Sequence, residues 1–169
     1  RNTSYAERGA LLSFEGAYIG GTDAVRYMRS SIEAQAYVTL LKRARVLALR
    51  ARIDQLHPIG TGIIPFTELR TLGGNQDQRG YHSAYFRGWG TLAINIEYRY
   101  PIWDTWNAYF FWDEGQVFDR MGDLSADNFT TSWGGGLALR SANRLVVKVQ
   151  IGHSAVQRAV YDIVLGQAF

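Results

Sequence analysis

Thr91-Leu92-Ala93-Ile94-Asn95-Ile96-Glu97-Tyr98-Arg99-Tyr100 is the stretch that decides the fold. Leu92, Ile94, Ile96, Tyr98 and Tyr100 alternate with Ala93, Asn95, Glu97 and Arg99, a period of two. A helix would scatter these charges around its circumference, whereas a strand gathers them on one face. The same beat runs through Arg144–Ile151, where Leu145, Val147, Val149 and Ile151 alternate with Arg144, Val146, Lys148 and Gln150. It recurs in Ile32–Leu40 and in Leu47–Asp54.

Working outward from these stretches, the pattern predicts eight strands, at about 8–19, 28–41, 43–55, 90–101, 105–118, 130–141, 143–153 and 159–169. Each has roughly the 9–11 residues, or slightly more, that a tilted membrane strand needs. The connections alternate in length. Four are long, covering 20–27, 56–89, 119–129 and 154–158. Three are tight, near Lys42, at Ile102 to Asp104 and at Ala142. Long loops on one side and short turns on the other are how outer-membrane barrels are built. If the short turns are periplasmic, both chain ends are periplasmic as well.

Composition agrees with this reading. Among 169 residues there are 10 Tyr, 8 Phe, 5 Trp and 18 Gly, but only 3 Pro, so long strands can pair without losing ladder donors. Hydrophobic residues make up 47% of the chain, yet the mean hydropathy is slightly negative. A barrel resolves that contrast, because lipid-facing and lumen-facing residues alternate and their averages cancel. No apolar run approaches the roughly 20 residues of a spanning helix, and Arg1-Asn2-Thr3-Ser4 lacks a signal-peptide pattern. A β-sandwich would also alternate, but with shorter strands and a water-exposed polar face. Here Tyr98, Tyr100, Trp103, Trp106, Trp112, Trp133, Tyr161 and Phe169 cluster toward strand ends, as interface girdles do.

Other chemistries find little support. Cys is absent, which removes disulfides and thiolate catalysis. His57, His82 and His153 lack metal-ligand spacing. Gly152-His153-Ser154-Ala155 lacks the second glycine and the strand–turn–helix setting of a nucleophile elbow. Gly134-Gly135-Gly136 has no following helix to bring its dipole to a phosphate, so its small residues are expected to let the sheet bend or a neighbour approach. No enzyme activity, cofactor or metal is expected. Inward charges of both signs, including Glu33, Arg50, Arg52, Asp54, Glu97, Arg99, Asp113 and Lys148, point to a neutralising ion-pair network. Arginines and aromatics on opposite faces argue against nucleic acid.

Five motifs occur in one order over the last two thirds of the chain. They are Ile64-Pro65-Phe66-Thr67-Glu68-Leu69-Arg70-Thr71-Leu72-Gly73-Gly74; Gln78-Arg79-Gly80-Tyr81; Glu97-Tyr98-Arg99-Tyr100-Pro101; Phe111-Trp112-Asp113-Glu114-Gly115-Gln116-Val117-Phe118; and Gly134-Gly135-Gly136-Leu137-Ala138-Leu139-Arg140. Together they resemble the C-terminal half of the bacterial surface-antigen barrel, from the BamA-, TamA- and FhaC-type outer-membrane assembly and translocation superfamily. The resemblance implies that the long loop at 56–89 folds into the barrel and that Arg79, next to Gly80 and Tyr81, pairs with Asp113; Glu97, which alternation points inward, is a second candidate acceptor. It also implies that a last strand with Tyr161, Ile163, Leu165 and Phe169 carries the terminal signal read during membrane assembly.

The expected protein is therefore a single outer-membrane barrel domain over 1–169, without enzyme activity and without POTRA modules. Its eight strands would form either a closed barrel or half of a sixteen-stranded one. The implied function is assembly of outer-membrane proteins or translocation of polypeptides. The alternative is a small structural barrel or anchor without transport activity. Expected partners are outer-membrane lipid, a second copy, and unfolded outer-membrane or secreted polypeptides. A closed eight-stranded barrel has its interior filled by side chains, so the loop would then have to stay outside.

Overall fold

The computed structural model describes residues 7–21, 24–40, 45–141 and 144–165, with 141 and 144–146 described by their backbone. The strands are β1 (Gly9–Gly20), β2 (Arg26–Leu40), β3 (Arg45–Pro58), β4 (Arg70–Leu72), β5 (Phe86–Gly88), β6 (Gly90–Pro101), β7 (Trp106–Phe118), β8 (Thr130–Ser141), β9 (Arg144–Ser154) and β10 (Val160–Leu165). Eight of them form one sheet in the order β1-β2-β3-β6-β7-β8-β9-β10, with every neighbouring pair antiparallel. The eight strands inferred from alternation are these eight. β4 and β5 form a separate two-stranded sheet inside the long loop.

The strands follow the apolar alternation of the sequence. Between β6 and β7 the turn is tight: Ile102 N–H donates to Trp106 O at 2.9 Å and Trp106 N–H to Trp103 O at 3.2 Å. The tight turns expected at Lys42 and Ala142 lie outside the described residues, as does Phe169. β3 runs to Pro58 rather than 55, because Tyr27 still faces Pro58 in the β2 ladder and Leu56 N–H donates to Trp89 O. The long loop accordingly begins at residue 59. It folds back on itself at Gly73 and Gly74, whose φ values of +115° and +97° favour glycine. A Cβ at Gly73 would lie 2.5 Å from His82 O.

The two faces of the sheet reverse the usual arrangement of a water-soluble domain. Leu49, Ile96, Phe110, Trp112, Trp133 and Ile151 are exposed on one face. Arg50, Asn95, Glu97, Asp113, Ser132 and Lys148 are buried on the other, called here the inner face. Exposed large apolar residues over buried polar ones are the informative combination, and lipid on the outside explains it.

The sheet is open. Among the described residues β1 pairs only with β2, and β10 only with β9, so closure of eight strands on themselves is not what the structure has. Two free edges on a sheet with an apolar outer face leave rows of backbone donors and acceptors that hydrocarbon cannot satisfy.

Candidate functional site

The long loop crosses the inner face of β6, β7, β8 and β9, and the side chains beneath it form a buried charge network. Register sets the layout: Asn95 on β6 faces Arg50 on β3 and Asp113 on β7, while Glu97 faces Ala48 and Phe111. Because the period is two, Asn95, Glu97 and Arg99 all point inward from one strand.

Arg79 enters this layer from the loop and is fully buried. Its Nε donates to Asp113 Oδ2 at 2.9 Å and its Nη2 to Asp113 Oδ1 at 2.7 Å, a two-pronged contact. Nη1 donates to Glu97, and the backbone N–H of Arg79 adds a third bond to Asp113 Oδ2 at 3.1 Å. The guanidinium carbon lies 3.9 Å from the centre of the Phe111 ring, a cation–π stack. Burial alone disfavours the Arg79 charge; the Asp113 carboxylate and then Glu97 more than reverse this and hold its pKa above the ordinary guanidinium value.

Neither acceptor belongs to Arg79 alone. Asp113 also accepts from Asn95 Nδ2 at 2.9 Å. Glu97 sits among three cations, with Arg99 Nε at 2.6 Å and Lys148 Nζ at 3.1 Å in addition to Arg79. Lys148 reaches across from β9 and lies 4.2 Å over the Tyr109 ring. Buried charges are tolerated when paired in this way.

A second cluster ties the loop to β2 and β3. Arg50 donates to Glu33 at 2.9 Å, to Asp77 at 3.1 Å and to the carbonyl of Gln76 at 2.9 Å. Asp54 accepts from Arg52 at 2.7 Å and from the loop's Arg70 at 2.8 Å. Alternation marked Arg50, Arg52 and Asp54 as inward, but nothing periodic in the loop singles out Arg70 or Asp77.

Gly80 is where the loop backbone touches the sheet. A Cβ there would lie 2.5 Å from Ser132 Cβ and 2.6 Å from His153 O. The fit is mutual, since a Cβ at Gly152 on β9 would lie 2.1 Å from Arg79 O. Gly80→Ala is expected to unseat the loop and to cost about 1–3 kcal/mol, the usual scale of overpacking. Faster protease cleavage within 59–89, with the sheet intact by circular dichroism, is the measurement. An uncleaved loop would sink the prediction. Tyr81 is buried beside Gly80, with Tyr85 and Phe86 ring centres at 5.2 and 5.0 Å.

The glycines of β8 also serve close approach: a Cβ at Gly134 would lie 2.6 Å from Phe111 Cζ, and one at Gly136 would lie 2.4 Å from the Tyr109 hydroxyl. On the opposite face of the sheet from the network, Tyr161, Ile163 and Leu165 line the outer face of β10 and are exposed at 76%, 71% and 76%. Among the described residues no cluster of His, Asp and Glu is arranged to hold a metal ion.

This sheet has a counterpart among solved structures. The crystal structure of BamA from Haemophilus ducreyi lacking POTRA domains 1–3 superimposes on 99% of this chain with a TM-score of 0.77 at 16% sequence identity. At that identity the likeness is one of fold, and the chain spans 38% of the length of that BamA chain. No curated protein matches the sequence. A family model does: the Omp85 superfamily domain matches residues 1–152, nearly the whole chain. The chain belongs to the Omp85 superfamily, and with it to the β-barrels of the bacterial outer membrane.

Proposed function

We propose that this chain is the C-terminal half of an outer-membrane barrel that inserts outer-membrane proteins or translocates polypeptides, without enzymatic activity. The observation that carries the reading is a long loop whose Gln78–Tyr81 stretch is buried on the inner face of an open sheet. A self-closed eight-stranded barrel has an interior filled by its own side chains, so the seated loop supports a wider barrel over a small structural one. Within that barrel Arg79, Gly80 and Tyr81 act as the seat of the loop, and Asp113 and Glu97 as its sockets. Tyr161, Ile163 and Leu165, with Phe169, are the terminal assembly signal. The short turns and both chain ends face the periplasm, and unfolded polypeptides are the clients.

Closing this barrel needs strands beyond the eight described. An even number of antiparallel strands leaves β1 and β10 running in opposite directions. β1 of one copy therefore meets β10 of another in antiparallel fashion, and two such contacts close a ring. A second copy is the available source when the chain is produced alone. Refolded in a mild detergent, the chain is expected to appear in native mass spectrometry at twice 19.0 kDa. The dimer should also accelerate folding of an unfolded outer-membrane client into liposomes. A monomer with no effect on client folding would remove this reading and favour a small structural barrel.

A further inference from the structure

The outer face of the sheet is not uniformly filled. On β8 the outward positions run Trp133, Gly135, Leu137, and the middle one has no side chain. Register places Phe110 on β7 and Ile151 on β9 beside that gap. The result is an apolar hollow of about 630 Å³, framed by Phe110, Trp133, Leu137 and Ile151 with the β8 backbone as its floor. Its volume lies within the roughly 300–1,000 Å³ of ligand sites. From the level of Leu137 to that of Trp133 is four residues, roughly 13 Å along a strand.

One end of the hollow is different. His153 and Arg158 line it there, beside the connection between β9 and β10. His153 Nδ1 lies 2.6 Å from Arg158 O, which holds that connection against the strand. The His153 ring packs on Trp133 at 5.1 Å. The Arg158 guanidinium makes no ion pair among the described residues, although other arginines of the chain are paired on the inner face. An apolar trough with an exposed arginine, Arg158, among its lining residues suits one acyl chain capped by an anionic headgroup.

We propose that this hollow is a specific site for a membrane lipid whose phosphate headgroup carries a net negative charge, with an acyl chain along Gly135 and the headgroup phosphate on Arg158, assisted by His153. The inference rests on the outer-membrane reading, which sets the outer face in lipid. Hydrocarbon fills the trough without strain because an acyl chain adapts its shape. The guanidinium grips phosphate through paired donors, and basic pockets at the membrane surface select anionic headgroups in this way.

Trp133 in the wall provides a reporter, since bromine on an acyl chain quenches an adjacent indole. The refolded chain is placed in phosphatidylcholine bilayers doped with brominated phosphatidic acid or with brominated phosphatidylcholine of the same chains. The Trp133 contribution is obtained by difference from Trp133→Phe. Phosphatidic acid is expected to quench at a roughly tenfold lower mole fraction, the scale of a charge-assisted hydrogen bond. Arg158→Gln, on an exposed connection, should abolish that preference and leave quenching by phosphatidylcholine unchanged. Gly135→Leu should reduce quenching by both lipids; if that variant fails to fold, Arg158→Gln decides alone. Equal quenching by the two lipids, or a preference that survives Arg158→Gln, overturns the proposal. So does suppression of the preference by millimolar inorganic phosphate, which would make the site one for a free anion. No quenching of any tryptophan would instead count against membrane insertion, and hence against the outer-membrane reading itself.

Discussion

Arg79→Ala is expected to destabilise the folded protein by about 3–5 kcal/mol, the usual result of deleting one partner from a buried ion pair. The loss falls mainly on Asp113, which is fully buried and keeps only the Asn95 amide and the backbone N–H of residue 79 as donors. Glu97 suffers less, because Arg99 and Lys148 still reach it. The stack on Phe111 also disappears. In urea, with a slope of about 1–3 kcal/mol/M, the midpoint should fall by roughly 1–5 M. Arg79→Lys separates charge from shape. An ammonium cannot present two parallel donors to Asp113 and reach Glu97 at once, so most of the loss should persist. A midpoint unchanged in both variants would mean that the loop contributes nothing to stability, and the proposed role of Arg79 as its seat would fall.

Glu97→Gln should have an effect of similar size, about 3–5 kcal/mol, for the opposite electrostatic reason. The substitution keeps the shape and removes the negative charge on which Arg79, Arg99 and Lys148 converge. Three cations then remain on one buried layer, with Asp113 as the carboxylate within reach of Arg79. The test is a double-mutant cycle with Lys148→Met, whose side chain retains much of the apolar stem. Removing one of the three cations should relieve the repulsion, so the double variant should lose about 1–3 kcal/mol less than the sum of the singles. Additive losses would show that Glu97 and Lys148 do not share one network. Salt should change little, since these charges are shielded from bulk ions.

The network also explains why a loop lies stably across a sheet whose inner face is so polar. A polar face offers little hydrophobic driving force, so the loop is held by matched donors and acceptors at three places. Arg70 meets Asp54, Asp77 meets Arg50, and Arg79 meets Asp113 and Glu97. Between them Gln78 donates to the Thr130 hydroxyl at 2.9 Å. Such an arrangement is specific, because a shift of the loop by one residue would leave several buried charges without partners, each costly in a low dielectric.

Much of the fold was legible in the sequence because a strand with lipid on one side and charge on the other writes its period directly into the residue order. Leu92 to Tyr100 fixed the face of β6, and Leu47 to Asp54 did the same for β3. Boundaries were less legible. β3 continues to Pro58 because the facing strand at Tyr27 is long enough to hold it, and β3's own composition does not report that. β4 and β5 are three residues each, too short for any period to register.

By itself the sequence determined the number of long strands, which face of each is apolar, and, through ordered motifs, a superfamily and the Arg79–Asp113 pairing. Local alternation and motif order are properties of the chain alone. Only the tertiary structure decided that β1 and β10 do not pair among the described residues and that the loop lies on the inner face of the sheet. It also decided that Asn95, Arg99 and Lys148 share the carboxylates that Arg79 touches, and that Gly135 leaves a hollow with Arg158 at its rim. The physical reason is that these features depend on distance between segments far apart in sequence. Arg79 and Glu97 are on different elements, and Lys148 is on a third. A pattern of period two carries the direction of a side chain, but it does not carry which other side chain will be waiting there.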